Sequence, residues 1–159
     1  MAHSKPYLII GQGIAGTIFS YRLWQANIPF KILDDPSLSR SSRIAAGLAN
    51  PVVLKRQKWV SDAETYLPLC APFYQELEAF LKVKLYHPTP LEHIFHSVGE
   101  LNDWHQNSTK TYLKNHLGVI DKSLLAQVIS PHGRGRLNGV FWVETDAMIS
   151  AWRAFLDQE

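Results

Sequence analysis

The spacing of apolar and polar positions changes along this chain, and each change marks an expected element. Tyr7-Leu8-Ile9-Ile10 is a short, wholly apolar run that stops at Gly11. That pattern predicts a strand buried on both faces, as in a parallel sheet. From Ile14 the spacing becomes helical, with Ala15, Ile18, Phe19, Leu23 and Ala26 on one side, until Asn27 and Pro29 end it. Phe30 to Leu33 predicts a second strand, closed by Asp34-Asp35-Pro36. Strand, helix and strand within about thirty residues are the size of a minimal crossover unit. Such a unit is right-handed and parallel.

The pattern is more broken afterwards. Residues 36–43 are a polar loop, followed by the small-residue stretch Ala45-Ala46-Gly47-Leu48-Ala49-Asn50-Pro51. Between 60 and 82 apolar residues return every third or fourth position, which predicts an amphipathic helix. Pro68 and Pro72 should kink or divide it. Residues 85–97 read as extended. Ser97 and Glu100 have capping-box spacing and should open a short helix through Trp104. Residues 118–130 read as strands or one strand and a short helix, 131–135 as a loop, and Val140 to Val143 as a strand. Thr145 should cap a last helix whose apolar face carries Met148, Ile149, Trp152, Phe155 and Leu156.

Composition narrows the class. The 159 residues are 46% hydrophobic and 19% charged, which excludes a disordered or fibrous chain. The length is about one domain on the usual prior. A net charge of +2 speaks against a nucleic-acid partner. A single cysteine, Cys70, excludes an internal disulfide and fits a reducing compartment. No apolar run approaches a membrane span, and glycines at 11, 13 and 16 interrupt what could imitate a secretory signal. A cytoplasmic location is expected.

The candidate chemistry lies at the first strand–helix junction, in Gly11-Gln12-Gly13-Ile14-Ala15-Gly16. Gly11 permits the tight turn off the strand, Gly13 lets a pyrophosphate reach the backbone, and Gly16 lets helix and strands approach. Free N–H groups at the helix start then face the phosphates. Asp34, at the tip of the second strand, can accept hydrogen bonds from ribose hydroxyls and would repel a 2′-phosphate. Asp35 is the second candidate for that task. The motif is specific because it sits between a strand and a helix.

The fingerprint alone does not separate FAD from NAD. The following segment, Ser41-Ser42-Arg43-Ile44-Ala45-Ala46-Gly47-Leu48, resembles the D-amino-acid-oxidase-like family of FAD-dependent oxidoreductases. Glycine oxidase, sarcosine oxidase and a tRNA-modifying flavoenzyme domain belong to that family. The resemblance runs along the whole chain and is most specific over residues 7–60. It implies that Gly11, Gly13, Ile14, Ala15 and Gly16 form the pyrophosphate loop. It places Ser41, Ser42 and Arg43 near the phosphates, and Ala46, Gly47 and Leu48 beside the isoalloxazine. Asp34 stands where the family usually has Glu, one methylene shorter.

The expected architecture is therefore α/β: a Rossmann-type FAD-binding βαβ fold with an inserted part of a mostly β substrate domain. Residues 1–84 and 139–159 would form the FAD-binding part, and 85–138 part of the substrate domain. The chain is less than half the length of the family's members, so it reads as an N-terminal portion. The resemblance implies hydride transfer from an amine or amino-acid C–N bond to flavin, with a small-molecule amine or amino-acid substrate. No catalytic residue is assigned within the chain. A nicotinamide-binding oxidoreductase and a non-catalytic nucleotide-binding remnant are the competing readings. His87, His93 and His96 lack the ligand company zinc needs, so no metal is expected. Lys55, Arg56, Lys58, Arg134 and Arg136 read as solvated loop cations, with Arg56 or Lys58 able to meet FAD or an anionic substrate.

Overall fold

The computed structural model describes residues 5–35, 37, 41–123 and 128–159. Within them the order is β1 (Tyr7–Ile10), α1 (Ile14–Gln25), β2 (Phe30–Leu33), α2 (Ser41–Ile44), β3 (Leu48–Ala49) and β4 (Val52–Val53). A 3-10 turn (Leu54–Arg56) leads to β5 (Lys58–Trp59), α3 (Ala63–Leu81), β6 (Tyr86–Pro88), β7 (Leu91–Ile94) and α4 (Val98–Ser108). The chain closes with β8 (Leu117–Asp121), β9 (Arg134–Leu137), β10 (Phe141–Val143) and α5 (Thr145–Leu156). Parts of the polar loop after Asp35, and 124–127 within the ambiguous 118–130 stretch, lie outside the described residues.

Two compact units form. One comprises 1–47, 74–85 and 143–159, and the other 48–73 and 86–142. Residues 48–73 and 139–142, expected in the nucleotide-binding part, belong by contacts to the second unit.

In the first unit β1 and β2 pair in parallel, Tyr7 opposite Phe30 through Ile10 opposite Leu33. This is the expected crossover, with one correction. Only Ile9 of β1 is buried, while Leu8 and Ile10 are 64% and 79% exposed. Among the described residues the sheet has two strands, and α1 covers the face carrying Tyr7 and Ile9. The apolar run therefore reports an apolar strand, not one covered on both sides.

Helix α1 also buries a different face from the predicted one. Thr17, Ser20, Tyr21 and Leu23 are buried, whereas Phe19 is 46% exposed. The reason is its partner. Tyr21 meets Trp152 of α5 edge-on at 5.4 Å, and Trp24 packs on Phe80 at 4.7 Å and Phe155 at 5.3 Å. Small Thr17 and Ser20 let the backbones approach. The Trp152 indole N–H, fully buried, donates to Ser20 Oγ at 2.7 Å. The expected apolar face of α5 is thus filled by aromatics of the same unit.

Helix α3 is continuous through Pro68 and Pro72, so the prolines do not divide it. Both prolines are exposed, and on the solvent side of a helix a carbonyl that lacks its N–H partner can be hydrated. Thr145 does not cap α5. It is the first helical residue, and its hydroxyl donates to the Ser42 carbonyl at 2.6 Å.

The second unit holds β3-β10-β6, β4-β5 and β7-β9-β8. Its core is Val52, Phe95, Trp104, Leu113, Leu117, Leu137 and Val140. Trp104 and Phe95 lie on Gly135, where a Cβ would come within 2.4 Å of the indole. Gly135 therefore belongs to strand β9, not to the predicted loop. Ser97 Oγ accepts from Glu100 N at 3.1 Å, as the capping box requires, and α4 continues beyond Trp104 to Ser108. No helix among the described residues is long and apolar enough to cross a membrane.

Candidate nucleotide site

At the junction of β1 and α1, Gly11 and Gly16 take the structural roles the sequence implies for them. Gly11 turns the chain with φ +88°, and its N–H extends the parallel ladder to the Leu33 carbonyl at 2.8 Å. A Cβ on Gly16 would lie 2.2 Å from the Gly11 carbonyl oxygen and 3.4 Å from Ile9, so the helix can approach the strand only here. Gly13 sits at the N-cap of α1 with φ −83°, an extended conformation open to any residue. Its missing side chain leaves room instead for the Ser42 hydroxyl, which would stand 2.9 Å from a Cβ. Ser42 Oγ accepts the hydrogen bond of Ile14 N at 3.2 Å. A tertiary hydroxyl thus satisfies one of the helix-start donors. Ala15 is exposed at this helix start.

Ser41 and Arg43 flank Ser42 in the one-turn helix α2. The Arg43 guanidinium reaches Asp146 at 3.3 Å, with both side chains solvated. Ala46 is exposed. Gly47 has φ +64°, and a Cβ there would stand 2.0 Å from the Val143 carbonyl oxygen, so this glycine is required by backbone packing. Leu48, 47% exposed, opens β3 in the other unit.

The two acids at the end of β2 separate in role. Asp35 is exposed and turned onto its own loop, accepting from Ser37 N at 2.9 Å and Ser37 Oγ at 2.7 Å. Asp34 is turned inward. Its Oδ1 accepts from Gln12 N at 3.1 Å, and its Oδ2 is ion-paired to Arg153 of α5. Arg153 Nε also donates to Gln12 Oε1 at 2.8 Å. Asp34, Gln12, Arg153, Phe30, Ile32, Leu156 and Asp157 line a cleft of about 470 Å³. It runs along β2 from Phe30 to Asp34, between that strand and α5, and only its Asp34–Gln12 end reaches the carboxyl end of the parallel pair, where α/β sheets bind ligands. The sequence pattern assigns no role to Gln12 or Arg153. Gln12 is a variable position inside the glycine motif, and Arg153 is 119 residues from its partner.

The second unit has its own cleft of about 520 Å³, with Arg56, Lys58, Lys110, Trp59 and Tyr112 on its walls. Gln57, buried with φ +46°, fastens it by donating to the Glu100 carbonyl and accepting from Asn107. Arg134, expected on a solvated loop, is instead buried and ion-paired with Glu92 and Asp121. Its strand places it between two carboxylates, and hydrogen bonds from Ser123, with a smaller effect of the Arg134 charge, hold Asp121 below the usual carboxylate range. His87 stacks on Trp142 at 4.1 Å and His93 on Trp104 at 5.9 Å. Burial lowers the His93 pKa. Cys70 is half-buried, and burial raises its thiol pKa.

No family model matches the chain. Solved structures share its fold. An iminodiacetate oxidase from Chelativorans sp. BNC1 superposes with a TM-score of 0.72 at 14% identity, over 95% of this chain and 44% of that one. A glycine oxidase from Bacillus cereus ATCC 14579 gives 0.66 at 16% identity, over 95% and 43%. An L-amino acid deaminase from Proteus vulgaris gives 0.66 at 12% identity, over 99% and 39%. The chain spans less than half the length of each of these three structures.

Proposed function

We propose that this chain carries the adenosine-diphosphate end of an FAD site, in an FAD-dependent oxidoreductase acting on an amine or amino acid. One observation carries the nucleotide reading. The glycine-built start of α1, with Ser42 Oγ packed against Gly13, and Asp34, held inward at the end of the paired strand, stand together in one unit. A phosphate needs the first and a ribose needs the second. FAD, in preference to another dinucleotide, is supported by the Ser41–Leu48 stretch and by fold neighbours named as oxidases and a deaminase of amino-acid-type compounds.

In this reading the donors at the start of α1, with Ser42, hold the pyrophosphate, and Asp34 orients the ribose. Arg43 adds positive charge beside the phosphates. Ala46, Gly47 and Leu48 offer short side chains and backbone toward the flat ring. Bound flavin supplies the two-electron acceptor for C–N oxidation, and the protein supplies binding, orientation and electrostatics. A cytoplasmic location belongs to the same reading.

The test is the visible spectrum of the purified chain after incubation with FAD and desalting. Retained bands near ~375 and ~450 nm, as for protein-bound flavin, are the expected result. A colourless protein would overturn the proposal that these residues hold the cofactor.

A further inference from the structure

Arg153 touches both parts of the candidate site, yet nothing in the glycine motif or the strand-end acid calls for it. Its guanidinium donates through Nε to the Gln12 side chain and through Nη2 to Asp34, while Gln12 N donates to the other Asp34 oxygen. The three residues close a ring. Gln12 is 3% exposed and stands between the two glycines that shape the phosphate loop. The Asp34 side chain is 12% exposed, so a carboxylate there needs a charged partner to stay ionised and in one rotamer. A planar guanidinium can serve two acceptors in fixed directions, which a lysine ammonium on a flexible stem does not match.

We propose that Arg153 is the positioning residue of the nucleotide site. From helix α5 it sets the direction of the Asp34 carboxylate toward a ribose and pins the loop residue Gln12. This rests on the adenosine-diphosphate reading above. Nucleotide affinity then depends on a helix far along the chain from the fingerprint. The dependence runs through the ribose hydroxyls and not through the phosphates alone.

The test compares ADP with 2′,3′-dideoxy-ADP by calorimetry on the full chain, in wild type, Arg153→Met, Arg153→Lys and Asp34→Asn. The ratio of the two dissociation constants isolates the hydroxyl contribution. A purely structural role for Arg153 would weaken both ligands equally and leave the ratio unmoved. Hydrogen bonds to a charged acceptor predict a wild-type ratio of at least about tenfold. R153M and D34N should bring it near one, and R153K should fall between. If R153M does not fold, the R153K ratio decides, because lysine keeps the charge but not the fork. A wild-type ratio maintained in R153M or R153K, with D34N collapsed, overturns the proposal alone. A wild-type ratio of one removes Asp34 as the ribose residue, and Arg153 with it. Absence of ADP binding overturns the nucleotide reading itself.

Discussion

Gly13→Ala separates the folding role of the glycine loop from its binding role. The backbone at Gly13, φ −83° and ψ −165°, is one alanine adopts freely, so no dihedral strain follows. The new Cβ meets Ser42 Oγ at 2.9 Å and Ser42 Cβ at 3.7 Å. The hydroxyl is the free end of a short side chain and can rotate away, giving up its bond to Ile14 N. That loss costs about 1 kcal/mol. Alanine is also a poorer N-cap than glycine, by a few tenths to about 1 kcal/mol. The reduced freedom of the unfolded chain returns about 0.4–1 kcal/mol. The net destabilisation is about 1 kcal/mol, or roughly 2–4 °C in Tm for a chain of this size.

Binding should respond far more strongly. If the pyrophosphate sits as proposed, a methyl group on Gly13 removes at least one charge-assisted hydrogen bond, about 1.5–3 kcal/mol. That is roughly tenfold to a hundredfold in Kd. Thermal melts by circular dichroism and FAD titration by flavin fluorescence measure the two effects on one preparation. The double variant with Ser42→Ala should melt like S42A alone, because the clash is gone, while FAD affinity stays low. An FAD affinity within twofold of wild type in G13A would refute the placement of the pyrophosphate. A Tm drop beyond about 10 °C would refute the claim that the loop merely yields.

Three further outcomes follow from the first unit. Gly16→Ala should be the structural counterpart of G13A: with 2.2 Å to the Gly11 carbonyl, helix and strand must separate. Loss of about 3 kcal/mol or more is expected in urea titration, comparable with severe overpacking. Ser20→Ala leaves the fully buried Trp152 N–H without its 2.7 Å acceptor and should cost about 1–3 kcal/mol by the same titration. Tyr21 is pushed up to about 12 by burial first, then by its hydrogen bond to Glu76 and that carboxylate's charge. With the folded value above the unfolded one of about 10, its contribution is complete below pH ~10 and is lost as pH rises from ~10 to ~12. The loss is at most ~3 kcal/mol, and Tyr21→Phe should flatten this part of the stability–pH curve.

Local pattern was enough for the parallel βαβ unit, its glycine-built turn, the Ser97 capping box and the position of Asp34. Each depends on backbone geometry over a few residues. A turn with φ +88°, a helix start and a strand end are specified by the residues that form them. Which face of α1 is buried, whether β1 is covered on both sides, and whether two prolines break α3 were not legible. Those outcomes depend on what packs against each element: Trp152, Phe80 and Phe155 for α1, one neighbouring strand for β1, and water for the prolines. The same holds for the site. The glycines and the acid could be read from their spacing, but Gln12 as a clamp, Ser42 as a cap and Arg153 as the acid's partner could not. They are joined by hydrogen bonds across 22 to 141 residues, and only the folded chain brings such donors and acceptors into register.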